Sequence, residues 1–447
     1  MILPRRAPGP KGLPVVGNAL AFRNDPRGSL IAWARDYGPT VRFRLGPLVA
    51  HMVAHPEGVK HVLQTRSDDY GKAPRMGFLV DFLGLSLLTL ERELWRKRRR
   101  LAQPAFHRER VGALAHSFIT ASERMVERWE AHRDTGKSFD VASEMMRVTL
   151  ALAGETLLGV DISATAPAVA RSLPVVLNHT LARMNSPAPL PLWMPTAANR
   201  RYHEAKRALD VIVMGLVRDW RSGRTQPTGL VAMLMNARDE ETGECLSDRD
   251  LRDEVMTLMF AGHETTASAL TWTWWLLAKH PDAARRVRAE VTTVLQGRRA
   301  TPEDLVRLQY TQCVIQEAMR LMPPSWAIGR MPYVDDEIDG YRIPAGSLVI
   351  LPQCVTHRDP AFWDRPDEFD PERFLPERSA DRHRMAYYPF SAGPRVCIGP
   401  HFAMLEATAI VAAVAQRFAL ALDPTHEVRV DSSLTLRPLD GLWMRLQ

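Results

Sequence analysis

The hydrophobic and polar positions along this 447-residue chain fall mostly into a helical rhythm, broken by short strand-like runs. Apolar residues recur at helical spacing over 29–37, 109–158, 282–295 behind Pro281, and 400–418. The segment 41–45 alternates instead with period two, and Gly46-Pro47 turns the chain into 48–53, which predicts a hairpin. After Pro323-Pro324 the pattern changes. Residues 333–357 read as short strands with turns at Asp339-Gly340 and Ala345-Gly346, and 360–389 as a long meander rich in Pro, Asp and aromatic residues. The proline-rich stretch 187–195 interrupts the helical pattern and reads as a connection between helices. No repeat or flexible linker divides the chain, so the pattern predicts one domain over 1–447. It is mainly α with small β-sheets, and 1–25 form a proline-rich lead.

One apolar run, 255–278, is long enough to cross a bilayer. It carries His263 and Glu264 near its middle, where an ionised carboxylate would cost several kcal/mol in lipid, so a helix buried in protein is expected. Residues 1–17 lack the apolar core of a signal peptide. The expectation is therefore a cytoplasmic protein with no transmembrane anchor. At 46% hydrophobic residues, the chain has ample apolar surface to enclose a large cofactor. The four cysteines, Cys245, Cys313, Cys354 and Cys397, lie far apart with no CxxC pair, which argues against a disulfide framework. The net charge of +7 comes without a nucleic-acid motif. It points to an acidic protein partner and away from nucleic acid.

The candidate chemistry centres on Phe390-Ser391-Ala392-Gly393-Pro394-Arg395-Val396-Cys397-Ile398-Gly399. Cys397 stands just ahead of a helix predicted to start near Pro400, where free N–H groups and the helix dipole favour an anion. Such a position is expected to lower the thiol pKa and make a soft metal ligand. Gly393 and Gly399 allow a tight loop and close backbone approach to a flat ring. Arg395 offers a fixed charge to a carboxylate. The other three cysteines read as small core residues.

This run, continued by Phe402-Ala403, resembles the haem-binding loop of the cytochrome P450 family, Phe-x-x-Gly-x-Arg-x-Cys-x-Gly, at every fixed position. The resemblance extends over essentially the whole chain and is to a stand-alone bacterial-type member. It implies haem b lying between a long central helix and the helix after the Cys loop, with Cys397 as iron ligand and Phe390, Gly393, Arg395 and Gly399 around it. Glu317-Ala318-Met319-Arg320, with Arg373 in Pro371-Glu372-Arg373-Phe374, resembles the family's structural brace of Glu317, Arg320 and Arg373. Ala261-Gly262-His263-Glu264-Thr265 resembles its oxygen-activating segment. Ala261 and Thr265 there share a small-residue face, and Glu264 and Thr265 form the implied acid–alcohol relay, with Glu where many members have Asp. A zinc-protease reading of His263-Glu264 fails, because Ala267 stands where the second His is needed. Trp95 and Arg99, four apart on one helix face, and Arg330 resemble propionate partners.

The function so implied is monooxygenation: one oxygen atom from O2 enters an apolar small molecule such as a fatty acid, terpenoid or carotenoid. Electrons come from a separate acidic ferredoxin or flavodoxin served by an NAD(P)H-dependent reductase. That donor would dock on a basic patch of Arg96, Lys97 and Arg100, and the enzyme is expected to be a monomer. The alternatives are a peroxide-driven peroxygenase, which should lack the Glu264–Thr265 pair, and a haem-based sensor or ligand-binding protein without turnover. Pocket walls are expected from 71–90, 173–195, the buried helix, 324–329 and 432–436, with Met76, Phe78, Phe82, Met184, Trp193 and Trp326 as candidates.

Overall fold

The computed structural model describes residues 5–133, 135–160, 165–186, 188–226, 228–239, 241 and 243–447. The ends of the lead (1–4) and Pro187 in the expected connection lie outside them. The helices used below are α1 Pro26–Tyr37, α2 Arg92–Ala102, α3 Ala115–Arg133, α4 Val141–Leu152, α5 Ala166–Asn185 and α6 Ala197–Arg221. They continue with α7 Asp248–Lys279, α8 Pro281–Leu295, α9 Gln309–Leu321 and α10 Pro400–Arg417.

The membrane-length run lies within α7, which begins seven residues before it and ends one residue after it. A capping box starts it: Asp250 N–H donates to the Ser247 hydroxyl, and Ser247 N–H donates to the Asp250 carboxylate. Helices α4, α6, α9 and α10 all pack on α7, which explains its apolar residues on every side. No helix among the described residues is long and apolar enough to cross a membrane.

The expected helical stretch 109–158 is interrupted. A short strand at Phe139–Asp140 separates α3 from α4, and Asp140 caps α4 by accepting from Ala142 N–H. The hairpin forms as β1 Thr40–Leu45 against β2 Leu48–Val53. It belongs to a five-stranded sheet with β3 Tyr70–Lys72, β4 Ile328–Pro332 and β5 Leu348–Leu351, in the order β1-β2-β5-β4-β3. β2 and β5 are parallel; β5–β4 and β4–β3 are antiparallel. The register sets Lys72 opposite Arg330, so two cations remote in sequence share one edge of the sheet.

Candidate active site

The Cys397 loop is held by its own backbone. Cys397 N–H donates to Phe390 O at 2.9 Å, and Gly399 N–H points at Cys397 Sγ at 3.4 Å from the mouth of α10. Gly393 has φ +69°, and a Cβ there would sit 1.8 Å from Leu63 O, so no other residue fits. The demand expected at Gly399 is absent: its φ is −113° and a Cβ would meet nothing nearer than 3.6 Å. Gly399 contributes its N–H instead. The expected lowering of the Cys397 thiol pKa is also corrected. Burial pushes it up, and the Gly399 amide and Arg99 offset this only in part. A bound metal ion would still deprotonate it.

Cys397 lies deep in the molecule, yet its side chain is accessible. In α7, Ala261 is the one exposed residue between Leu251 and Ala278, and Gly262 and Thr265 beside it are half-buried. A soft ligand and a strip of small residues thus each face open space inside a closely packed fold, which suits a flat hydrophobic ring.

The surrounding charges suit its carboxylates. Arg395 stacks on the Trp95 ring at 4.3 Å and donates to Leu90 O at 3.1 Å. Lys72 and Arg330 stand near it, and the three cations share one carboxylate, Glu91, which accepts from Lys72 N–H and the Tyr333 hydroxyl. Burial, then repulsion from Arg395 and Arg330, brings Lys72 down to about 7. Burial and Arg395 bring Arg330 down to about 10. A dianion placed among them would relieve that repulsion. Lys72 is the residue that sequence reasoning missed, because only its register with Arg330 marks it. Arg99 reaches Val396 O at 2.9 Å and so steadies the cysteine loop.

Glu264 and Thr265 do not touch. Glu264 is buried with Oε1 accepting from the Thr435 hydroxyl at 2.7 Å, and Oε2 has no partner. Burial raises its pKa, against the Thr435 bond and Arg437. Thr265 donates back along the helix to Ala261 O at 2.8 Å. The segment around Thr435 is fixed to α7 by two further bonds, as Ser268 and Trp272 both donate to Leu436 O.

Glu317, Arg320 and Arg373 meet in the interior. Arg320 grips Glu317 through two bonds of 2.7 and 2.8 Å and donates to the carbonyls of His357, Pro366 and Glu368. Arg373 stands 3.4 Å from Glu317 and donates to the carbonyls of Asp364 and Arg365. The arginines end on carbonyls of His357 and the meander, and Glu317 also accepts from Asp370 N–H at 2.9 Å.

The basic patch is less bare than expected. Arg96 pairs with Asp68 and Glu93, Lys97 with Glu244, and Arg100 with Asp239 and Glu241. Arg98, between them, turns inward to Asp250 and Glu254. Among the wall candidates, Phe82 is core and Trp193 is 81% exposed, so neither lines a pocket. Phe78 lies under Arg183, Trp326 packs into two apolar clusters, and Met76 and Met184 pack against the main core.

Comparison with known proteins adds to this geometry. The family model described as Cytochrome P450 matches residues 7–442. The chain is 38% identical to cyclooctatin synthase of Streptomyces melanosporofaciens, over 97% of this chain and 95% of that one. It is 34% identical to cyclooctat-9-en-7-ol 5-monooxygenase of the same organism, over 92% and 88%. It is 32% identical to pentalenene oxygenase of Streptomyces avermitilis, over 98% and 96%. The crystal structure of the cytochrome P450DA heme domain superimposes with a TM-score of 0.90 at 28% identity, covering 100% of this chain and 98% of that one.

Proposed function

The chain belongs to the cytochrome P450 family, and from that premise we propose that Cys397 is the thiolate that holds the haem iron, with Lys72, Arg330, Arg395 and Trp95 receiving the propionates. The enzyme is an oxidoreductase, a monooxygenase of apolar small molecules that uses haem, O2 and electrons from redox partners. When bound, the haem supplies the redox chemistry, with thiolate donation favouring cleavage of the O–O bond.

The chain's own residues do the rest. Ala261 and Gly262 leave space beside the ring, and Thr265 brings one hydroxyl to it. Glu264, whose pKa burial raises, is the proton donor. To serve Thr265 it must leave Thr435, and Thr265 must turn its hydroxyl from Ala261 O. Glu317, Arg320 and Arg373 stiffen the meander that presents the cysteine loop. The apolar walls position the target C–H bond and exclude water.

For the substrate we favour cyclic terpenoids over fatty acids and carotenoids, because two of the relatives named above are oxygenases of compounds of that kind. The electron donor is an acidic ferredoxin or flavodoxin, whose carboxylates exchange with those already paired to Arg96, Lys97 and Arg100; exposed ion pairs are weak enough to allow it. The setting is the cytoplasm and the working form a monomer. The observation that carries the reading is the accessible Cys397 sulfur at the mouth of α10, in a chain segment whose Arg395 joins Lys72 and Arg330 around the single carboxylate of Glu91. The purified holoenzyme, supplied with ferredoxin, its reductase and NADPH, should hydroxylate a cyclic terpene hydrocarbon with matched electron use. Turnover of fatty acids alone would overturn the substrate assignment.

A further inference from the structure

A cavity of about 1020 Å3 lies against the side of α7 turned away from the haem-facing strip. His263, Glu264, Ala267 and Ser268 line it, whereas Ala261, Gly262 and Thr265 point elsewhere on a 100°-per-residue wheel. The opposite walls are apolar and include Leu150 of α4 and Leu173 of α5. The volume matches that of pockets which enclose small molecules.

One buried polar atom in this wall, Glu264 Oε2, lacks a protein partner, and buried polar atoms seldom do. Glu264 is 5% exposed and its Oε2 bonds to nothing. His263 is 3% exposed, with Nδ1 2.6 Å from Met259 O. A carbonyl only accepts, so Nδ1 carries the proton; burial keeps the ring neutral, and Nε2 is left as an acceptor. Of the arginines that line it, Arg124 pairs with Glu155, Arg128 and Arg147 both reach Glu144, and Arg437 pairs with Asp431. The cations there are already matched, which disfavours a carboxylate or phosphate as the occupant.

We propose that this cavity is a second ligand site for a neutral apolar molecule bearing a hydroxyl, which donates to His263 Nε2. That is the chemical class of the enzyme's own products, an identification that rests on the monooxygenase reading. When Glu264 is protonated, the same hydroxyl oxygen can accept from its Oε2, holding from behind the carboxyl that must turn toward Thr265. Accumulated product then slows proton delivery.

The test uses holoenzyme saturated with phenylimidazole, whose nitrogen-ligand spectrum reports that the haem face is filled. Titration with farnesol by calorimetry should give one site per chain. Filling the cavity with Leu150→Trp, and separately with Leu173→Trp, should weaken binding at least tenfold with the phenylimidazole spectrum unchanged. His263→Phe should weaken it roughly tenfold, about 1.4 kcal/mol, and the hydrocarbon farnesane should bind no better to the wild type than farnesol does to that variant. Absence of farnesol binding, or binding indifferent to all three substitutions, overturns the site. Failure of the monooxygenase reading shows separately, as a missing phenylimidazole spectrum or missing turnover.

Discussion

The Thr435 hydroxyl donates to Glu264 Oε1 at 2.7 Å, and so ties the acid of the central helix to a segment expected to line the substrate pocket. Glu264 is thereby directed away from its sequence neighbour Thr265, whose hydroxyl is bonded to Ala261 O. In the proposed relay the two side chains are thus bonded to other partners.

Removing the alcohol should uncouple the enzyme. In Thr265→Ala, electron consumption should continue while product per NADPH falls severalfold and peroxide rises, with haem content unchanged. Thr435→Val should act on the other half of the relay, freeing Glu264 and changing the pH dependence of coupling. Full coupling in Thr265→Ala would remove that residue from proton delivery.

The brace should matter to folding and not to chemistry. Glu317→Ala leaves Arg320 and Arg373 buried without a counter-ion, a loss of about 3–5 kcal/mol for a broken interior pair. Thermal unfolding should shift down and haem-loaded yield should collapse. A variant that loads haem normally would show that the meander does not need this ion pair.

Haem uptake should carry a proton signature. Without haem, Lys72 has its pKa lowered to about 7, so above that pH the folded protein binds fewer protons there than the unfolded chain. Stability of the haem-free protein therefore rises with pH between about 7 and the ordinary lysine value of about 10.4. Propionates would pull the proton back, while thiolate formation at Cys397 releases one. At pH 8, in weak buffer, Lys72→Met should release up to about one proton more on haem binding than the wild type does. Equal release from both proteins would exclude Lys72 from the propionate site.

Donor docking should depend on a patch already half neutralised. Reversing Lys97 to Glu should raise the donor KM severalfold and flatten its salt dependence, with little effect on kcat at saturating donor. An unchanged KM would place the docking surface elsewhere.

Much of this was legible before any coordinates. The cysteine loop was readable because glycine, arginine and cysteine stand at fixed local offsets, and the central helix because His263 and Glu264 made a membrane span untenable. Two features were not local and so were hidden. Lys72 joins the cation cluster only through strand register with Arg330. Thr435 meets Glu264 only because the far end of the chain returns to α7. The thiol pKa was misjudged in direction because a helix N-terminus is visible in sequence and the desolvation that outweighs it is not. The division of 109–158 was missed because the strand at Phe139–Asp140 is defined by pairing with Trp443 and Met444.

The account stands on the bond from Cys397 to iron. The reduced carbon monoxide complex of the wild type should show the red-shifted Soret band of a thiolate ligand, and Cys397→Ser should lose it while α10 and the rest of the fold remain. A Cys397→Ser protein with the wild-type band would contradict the account.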